Sequence, residues 1–417
     1  MKRNERIEVD YLARVEGETA IRIDLENEQP LLLKIFEPPR FFEGFLAGRK
    51  YDEVGDIVSR ICGICPVSHM TTAILAIENA MAVEVSAQTK ILRELMSLSQ
   101  IAASHLIHLF MLAMPDYYGK DSITGLIPEF KSEVTMLLAM KEVLNGLTAL
   151  IGGRALHAVT SLPGGFTKIP DNSALHEMLP KLKETAAQAV QVVKLVAKFN
   201  PPEFESKVVY AAISGKKGYA INDGRIITSD GLNIPVSDYL KHFQETQVDY
   251  ANAKKTRVGK GSVTTGALPR MNLKFEKLKP ETKKLAKSVG FSIPDFNPFH
   301  NNLAQALETY DAIMRCIDLI ENTTFKDEDI NLKIKAGEGG AITEAPRGLL
   351  YHWYRIDGRG VVEKANIVTP TAHNFVDIER SLNKLVLENK GRTRDQIRLL
   401  CEELVRAYDP CFSCSVH

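Results

Sequence analysis

The stretch Asp409-Pro410-Cys411-Phe412-Ser413-Cys414-Ser415-Val416-His417 ends the chain, and its counterpart Arg60-Ile61-Cys62-Gly63-Ile64-Cys65-Pro66-Val67-Ser68-His69 lies near the beginning. Each holds a CxxC pair. Two residues between cysteines let both sulfurs face one point, so each pair supplies half of a tetrathiolate site. Such a site suits soft or borderline metals: Zn, Fe, Ni or Cu(I). Most of the chain lies between the halves, so a shared site requires the fold to return its C-terminus to its beginning. One intertwined domain over 1–417 is the simplest organisation that does so.

Alternative uses of paired cysteines fit the spacing less well. Structural zinc modules place their pairs about 15–20 residues apart in small autonomous units. Iron–sulfur ligands are also spaced locally. A thioredoxin-like redox pair needs one CxxC beside a βαβ unit, and neither pair is placed so. Six cysteines in 417 residues do not resemble a disulfide scaffold and read as metal or redox residues of a reducing compartment. Cys316 and Cys401 match no metal motif, and Cys316 falls in an apolar helical stretch as a core residue.

The bulk numbers narrow the class. Lys+Arg and Asp+Glu are both 52, so nothing points to nucleic acid or an anionic membrane. No apolar run approaches the ~18–20 residues that span a bilayer. No apolar segment follows Met1-Lys2-Arg3-Asn4-Glu5-Arg6, so no signal peptide is expected and the cytoplasm is the expected location.

Alternating apolar residues predict strands within 7–37. Helical periodicity predicts helices over 70–82, over 87–113 capped by Ser86, over 129–151 after Pro128, and over 173–198 capped by Asp171 or Asn172. Long, apolar, consecutive helices imply a central bundle. Residues 205–275 are rich in Gly, Val, Ile, Thr and Lys and read as a peripheral lobe of short strands. A helix is expected at 298–321, strands at 340–372, and two last helices at 374–389 and 394–407. The class is therefore α+β and predominantly helical, with small peripheral β regions. Gly337-Glu338-Gly339-Gly340 is too weak a signal for a dinucleotide site.

The two cysteine signatures resemble those of the large, catalytic subunit of [NiFe]-hydrogenases. Arg14-Val15-Glu16-Gly17, Arg40-Phe41-Phe42-Glu43-Gly44, Glu344-Ala345-Pro346-Arg347-Gly348 and Val368-Thr369-Pro370-Thr371 resemble the family's other motifs, in order. The resemblance implies reversible heterolytic cleavage of H2. Cys62 and Cys411 would be terminal on nickel, and Cys65 and Cys414 would bridge to an iron carrying CO and cyanide. His69 would donate to a bridging sulfur. Arg347 would face the open metal positions, held by Asp409. Pro370 and Thr371 would line the cyanide pocket, and Glu16 would carry the proton from Cys411. Glu43, the Ile367 carbonyl and His417 would hold a Mg or Fe ion, and a chain ending at His417 would be the mature form. The signature details look like the cytoplasmic bidirectional group. Where many uptake enzymes carry an aspartate near the arginine, this chain has Ser104, before His105.

No further cysteine cluster or dinucleotide motif is evident, so no iron–sulfur cluster or flavin is expected in this chain. Electrons would leave through a small subunit with a proximal 4Fe-4S cluster. NAD(P) or another soluble carrier, with or without electron bifurcation, would belong to further iron–sulfur or flavin subunits. Two readings compete: a structural-zinc scaffold, and a complex-I-like relative. Relatives of the second kind have lost the four cysteines.

Overall fold

The computed structural model describes residues 6–24, 32–215, 218–330 and 332–417. Four long helices form the centre: Ala87–Ile107, Ile123–Gly152, Asn172–Val196 and Asn301–Glu321. Their inward faces carry Leu98, Ile101, Leu144, Leu147, Leu182, Val192 and Leu307, all buried in one apolar cluster. Amphipathic faces of this kind are stabilised mainly by packing against each other. Helix starts follow local chemistry. The Ser86 hydroxyl accepts from the Thr89 N–H at 3.1 Å, and the Asp171 carboxylate accepts from the Ser173 N–H at 3.0 Å.

Boundaries differ from expectation at four prolines, and the helices expected from 70 and from 374 begin four residues earlier, at Pro66 and Pro370. The helix expected after Pro128 begins at Ile123 and runs through that proline, with Phe130 leaving helical geometry at φ −124°. The helix expected to stop before Pro115 passes into a π-helical turn, His108–Ala113, and then a last turn, Met114–Tyr117. The expectation about apolar length is corrected too. Ala87–Tyr117 and Ile123–Gly152 are each long and apolar enough to cross a membrane. The first is mostly buried, as the core helix of a bundle must be.

Strands Arg6–Val9, Thr19–Asp24 and Leu32–Ile35 form an antiparallel sheet, and the intervening part of the expected strand region lies outside the described residues. A second antiparallel sheet runs Gly337–Ala345, Gly348–Ile356, Val362–Val368. It lies on the helix Pro66–Met81, and glycines make that approach possible. A Cβ at Gly339 would stand 2.4 Å from the Ala80 nitrogen. The glycine run is thus a packing surface.

Residues 205–275 contain the expected short strands, but they are less peripheral than their composition suggested. Ala211, Ile213 and Arg270 are fully buried. An unanticipated helix, Ala267–Lys274, brings Arg270 into the molecular centre.

The termini meet as the cysteine pairs required. Glu16 and Cys411 form a parallel bridge, with the Phe412 N–H donating to the Glu16 carbonyl at 2.7 Å. The Arg40 N–H donates to the Val416 carbonyl at 2.9 Å. The Arg40 guanidinium ties both signatures together, donating to the carbonyls of Ile61 and Ser413.

Candidate metal centre

Each CxxC pair sits at the start of a helix. Cys65 precedes the helix Pro66–Met81, and Cys411 precedes the short turn Phe412–Ser415. The four sulfurs are buried together. Cys62 Sγ lies 3.7 Å from Cys411 Sγ, and Cys65 Sγ lies 3.8 Å from Cys414 Sγ. No disulfide forms at such distances. They match the edge of a tetrahedron around a metal with sulfur bonds of about 2.3 Å, which is about 3.8 Å.

The electrostatics also call for a cation. Hydrogen bonding from Cys411, Cys414 and Cys65 holds the Cys62 thiol well below its usual pKa. Burial pushes Cys411 and Cys414 well up. One thiolate is thus favoured at the expense of the others, because a second buried charge beside the first is costly. A bound metal removes that conflict by pairing with all four.

Arg347 stands over this cluster at the turn between two strands. Its Nε donates to Asp409 Oδ1 at 3.0 Å, and burial is outweighed by Asp409 and the cysteine charges, so its pKa rises. Arg347 Nη1 is buried without a partner, and so is the Ser104 hydroxyl. The turn needs Gly348, whose φ is +131° and whose Cβ would meet Thr265 Oγ1 at 2.0 Å. Asp409 itself adopts φ +50°, a strained conformation for a non-glycine residue.

The remaining predicted residues fall around these. Thr371 Oγ1 accepts from the Cys411 N–H at 2.8 Å, which leaves its own proton free, and Pro370 opens the helix Pro370–Glu388. A His69 ring nitrogen is within 4.8 Å of the Cys65 and Cys414 sulfurs. Burial lowers the His69 pKa to about 3, so the ring is neutral. His69 Nδ1 is 3.3 Å from His352 Nε2, and His352 Nδ1 is 2.7 Å from the Tyr354 hydroxyl. Glu16 is half-buried, and burial followed by the Cys62 charge raises its pKa.

Glu43, Ile367 and His417 also meet. The Ile367 N–H donates to Glu43 Oε1 at 2.7 Å, and His417 Nε2 is 3.8 Å from the same oxygen. Burial raises the Glu43 pKa, but His417, Ile367 and Lys254 outweigh it and bring it to about 2. Asn366 Oδ1 nearby is buried without a partner. An acid, an imidazole and an unpaired oxygen fit a hard cation. Lys254, whose Nζ is 3.6 Å from Glu43 Oε2, was not foreseen.

Also unforeseen was a buried charged wall behind Arg347. Arg270 Nε and Nη2 donate to the two Glu308 oxygens at 2.6 and 2.5 Å. Its Nη1 donates to Glu344 Oε2 at 3.1 Å and the Ala345 carbonyl at 3.0 Å, and Nη2 also donates to the Pro346 carbonyl at 3.0 Å. Arg270 therefore clamps the backbone that carries Arg347. His105 and Tyr219 complete the Glu308 environment at 2.7 and 2.6 Å.

A sequence model of the family described as nickel-dependent hydrogenase matches residues 40–132 and 270–417, which include both cysteine pairs. The chain is 34% identical to the alpha chain of sulfhydrogenase 1 of Pyrococcus furiosus, over 99% of this chain and 97% of that one. It is 29% identical to a chain of the vhu F420-non-reducing hydrogenase of Methanocaldococcus jannaschii, over 91% and 98%. In fold it is similar to an NAD+-reducing [NiFe]-hydrogenase in the H2-reduced state, with a TM-score of 0.85, 22% identity and 99% coverage of both chains. Both termini of that shared fold converge here on four buried sulfurs, and the chain belongs to the nickel-dependent hydrogenase large-subunit family.

Proposed function

We propose that this hydrogenase catalytic subunit cleaves H2 reversibly at the Cys62, Cys65, Cys411, Cys414 cluster, with Arg347 as the pocket cation. The observation that carries the proposal is four buried sulfurs from both ends of the chain, paired across the two motifs at 3.7 and 3.8 Å. When bound there, a nickel–iron centre with CO and cyanide ligands would supply the redox chemistry that accepts the electrons of H2. Cys62 and Cys411 would be terminal ligands, and Cys65 and Cys414 bridging ones.

The chain's own residues handle the proton. Cys411 Sγ would take the two protons of H2 in turn as the two electrons leave, and Glu16, its backbone neighbour, would carry each away. A carboxyl group whose pKa is raised by burial suits that task, since it holds a proton more readily than an exposed one. Arg347 cannot lose its own proton and so keeps a fixed positive field over the pocket. Thr371 retains a hydroxyl proton for a polar diatomic ligand, with Pro370 beside it. His69, neutral, has a ring nitrogen left to donate to a bridging sulfur. Glu43, Ile367 and His417 would hold Mg or Fe2+ beside the C-terminus.

A partner small subunit is implied by relatives named as alpha subunits. We assign it a proximal 4Fe-4S cluster, with further iron–sulfur or flavin subunits passing electrons to NAD(P) or another soluble carrier in the cytoplasm, by bifurcation or directly. Relatives named F420-non-reducing favour a carrier other than F420.

Infrared spectroscopy with nickel and iron quantification is the decisive test. Bands of metal-bound CO and cyanide, with both metals near stoichiometric, are expected; zinc without such bands would return the structural-zinc reading. Cys65→Ala should lose nickel and all H2 activity. Arg347→Lys should keep nickel but lose turnover by orders of magnitude, and wild-type rates would refute its role.

A further inference from the structure

The Asp409 carboxylate aims Arg347 through Nε, and Arg347 Nη1 is buried without a partner. What aims Asp409 is therefore decisive. Its second oxygen, Oδ2, accepts from Gln305 Nε2 at 2.9 Å. Gln305 Oε1 in turn lies 2.5 Å from His108 Nδ1. The other His108 nitrogen, Nε2, lies 2.7 Å from the Arg406 carbonyl oxygen. His108, Gln305 and Asp409 are all about as buried as side chains become, each 1% exposed.

The donor count of this chain has one consistent solution. A carboxylate only accepts, so the Gln305 NH2 must face Asp409 and its oxygen must face His108. Reversing the amide would set oxygen against oxygen at 2.9 Å and require a protonated Asp409, which would then lose its charge pairing with Arg347. With the amide fixed, both His108 nitrogens face acceptors, so both must carry hydrogen. A neutral imidazole cannot satisfy this; an imidazolium can.

The surroundings favour that cation. Asp409 Oδ1 lies 4.0 Å from His108 Nε2. The Arg406 carbonyl, which also accepts from the Asp409 N–H at 2.9 Å, belongs to the last turn of the helix Arg394–Ala407, at the negative end of the helix dipole. His108 also opens the π-helical turn His108–Ala113, a local widening that turns the following residues away from the α-helical path.

We propose that His108 is a doubly protonated positioning residue which, through the Gln305 amide, fixes Asp409 and thereby the direction of the Arg347 guanidinium. The inference rests on the reading of Arg347 as the pocket cation. Neutron diffraction from deuterium-exchanged crystals of the metal-loaded enzyme tests the protonation directly. Deuterons on both His108 nitrogens are expected, and a ring with one deuteron overturns the proposal.

Coupling tests the role. His108→Leu should keep its nickel content and infrared bands but slow H2 turnover by about tenfold to a hundredfold, the scale of a misplaced catalytic group. Added to Arg347→Lys, it should cost little more, because the group it aims is already changed. Effects that multiply fully would overturn the positioning role. If His108→Leu does not fold, Gln305→Met cuts the same chain at its middle and must show the same non-additivity. A slow Arg347→Lys beside a fast His108→Leu removes this inference alone. Wild-type turnover in Arg347→Lys removes the reading beneath it as well.

Discussion

The inward face of the helical bundle and the wall behind Arg347 are both buried, yet they are built on opposite principles. In the bundle, Leu98, Leu144, Leu147 and Leu307 belong to one apolar cluster, and their side chains are held by packing. In the wall, Arg270, Glu308, Glu344, Lys274, His105 and Tyr219 are just as inaccessible, and nearly every polar atom has a partner. An apolar core accepts changes that conserve volume. A buried charged network does not, because each group exists to neutralise or orient another. The difference teaches where the fold keeps its precision: packing supplies stability in the bundle, while the wall supplies direction to the turn that bears Arg347.

The sharpest way to break the comparison is Arg270→Met. It conserves much of the volume but leaves Glu308 and Glu344 without their cation. Loss of about 3–5 kcal/mol is expected from chemical denaturation, typical of removing one partner from a buried pair. The Ala345 and Pro346 carbonyls also lose their donor, so H2 turnover should fall in the protein that does fold. Arg270→Lys should not restore it, since one ammonium cannot replace the five bonds of the guanidinium. Wild-type stability and turnover in Arg270→Met would show the wall to be ordinary packing.

Leu144→Ala is the counterpart in the bundle. Leu144 is fully buried, and a cavity there should cost about 3 kcal/mol. Below the lowered melting temperature, nickel content and turnover per nickel should stay at wild-type values. A loss of turnover at full nickel loading would mean that the bundle, too, directs the site.

The two regions were also unequally legible. The bundle follows from periodicity and caps; the prolines misled, and so did the apolar length of two of its helices. Pro128 is absorbed by a kink at Phe130 and Pro115 by a π-turn, both tertiary accommodations that no local rule supplies. The four cysteines were legible because their spacing carries their chemistry. Arg270 was not, because its helix is short, follows a glycine and contains Pro269, and so reads as loop. Gln305 and Glu308 sit among Ala304, Ala306 and Leu307 on one helix, and His105 and His108 share a face of another. Polar residues on an otherwise apolar helical face were the available signal. What the sequence withholds is the partner: Glu308 and Arg270 become a pair only when two distant helices cross.

A smaller effect sharpens the comparison at its edge, where the bundle meets the C-terminal helix. Burial, followed by the charge of Asp116, pushes Glu403 up to about 7 from an ordinary 4.5. The folded protein therefore holds this proton more tightly than the unfolded chain. Below pH 4.5 both states carry it and no penalty exists. Between 4.5 and 7 only the folded state does, so stability falls as pH rises, and the loss is complete above 7. The buried histidines His69 and His373, lowered to about 3 and about 4, slope the opposite way over part of that window. The difference between wild type and Glu403→Gln isolates the carboxyl. Glutamine keeps a polar group beside Tyr117 without the charge. The variant should match the wild type near pH 4.5 and exceed it by on the order of 2 kcal/mol at pH 8. Chemical denaturation at both pH values would show it. An equal gap at the two pH values would mean that Glu403 acts through packing, as a bundle residue does, and not through its charge.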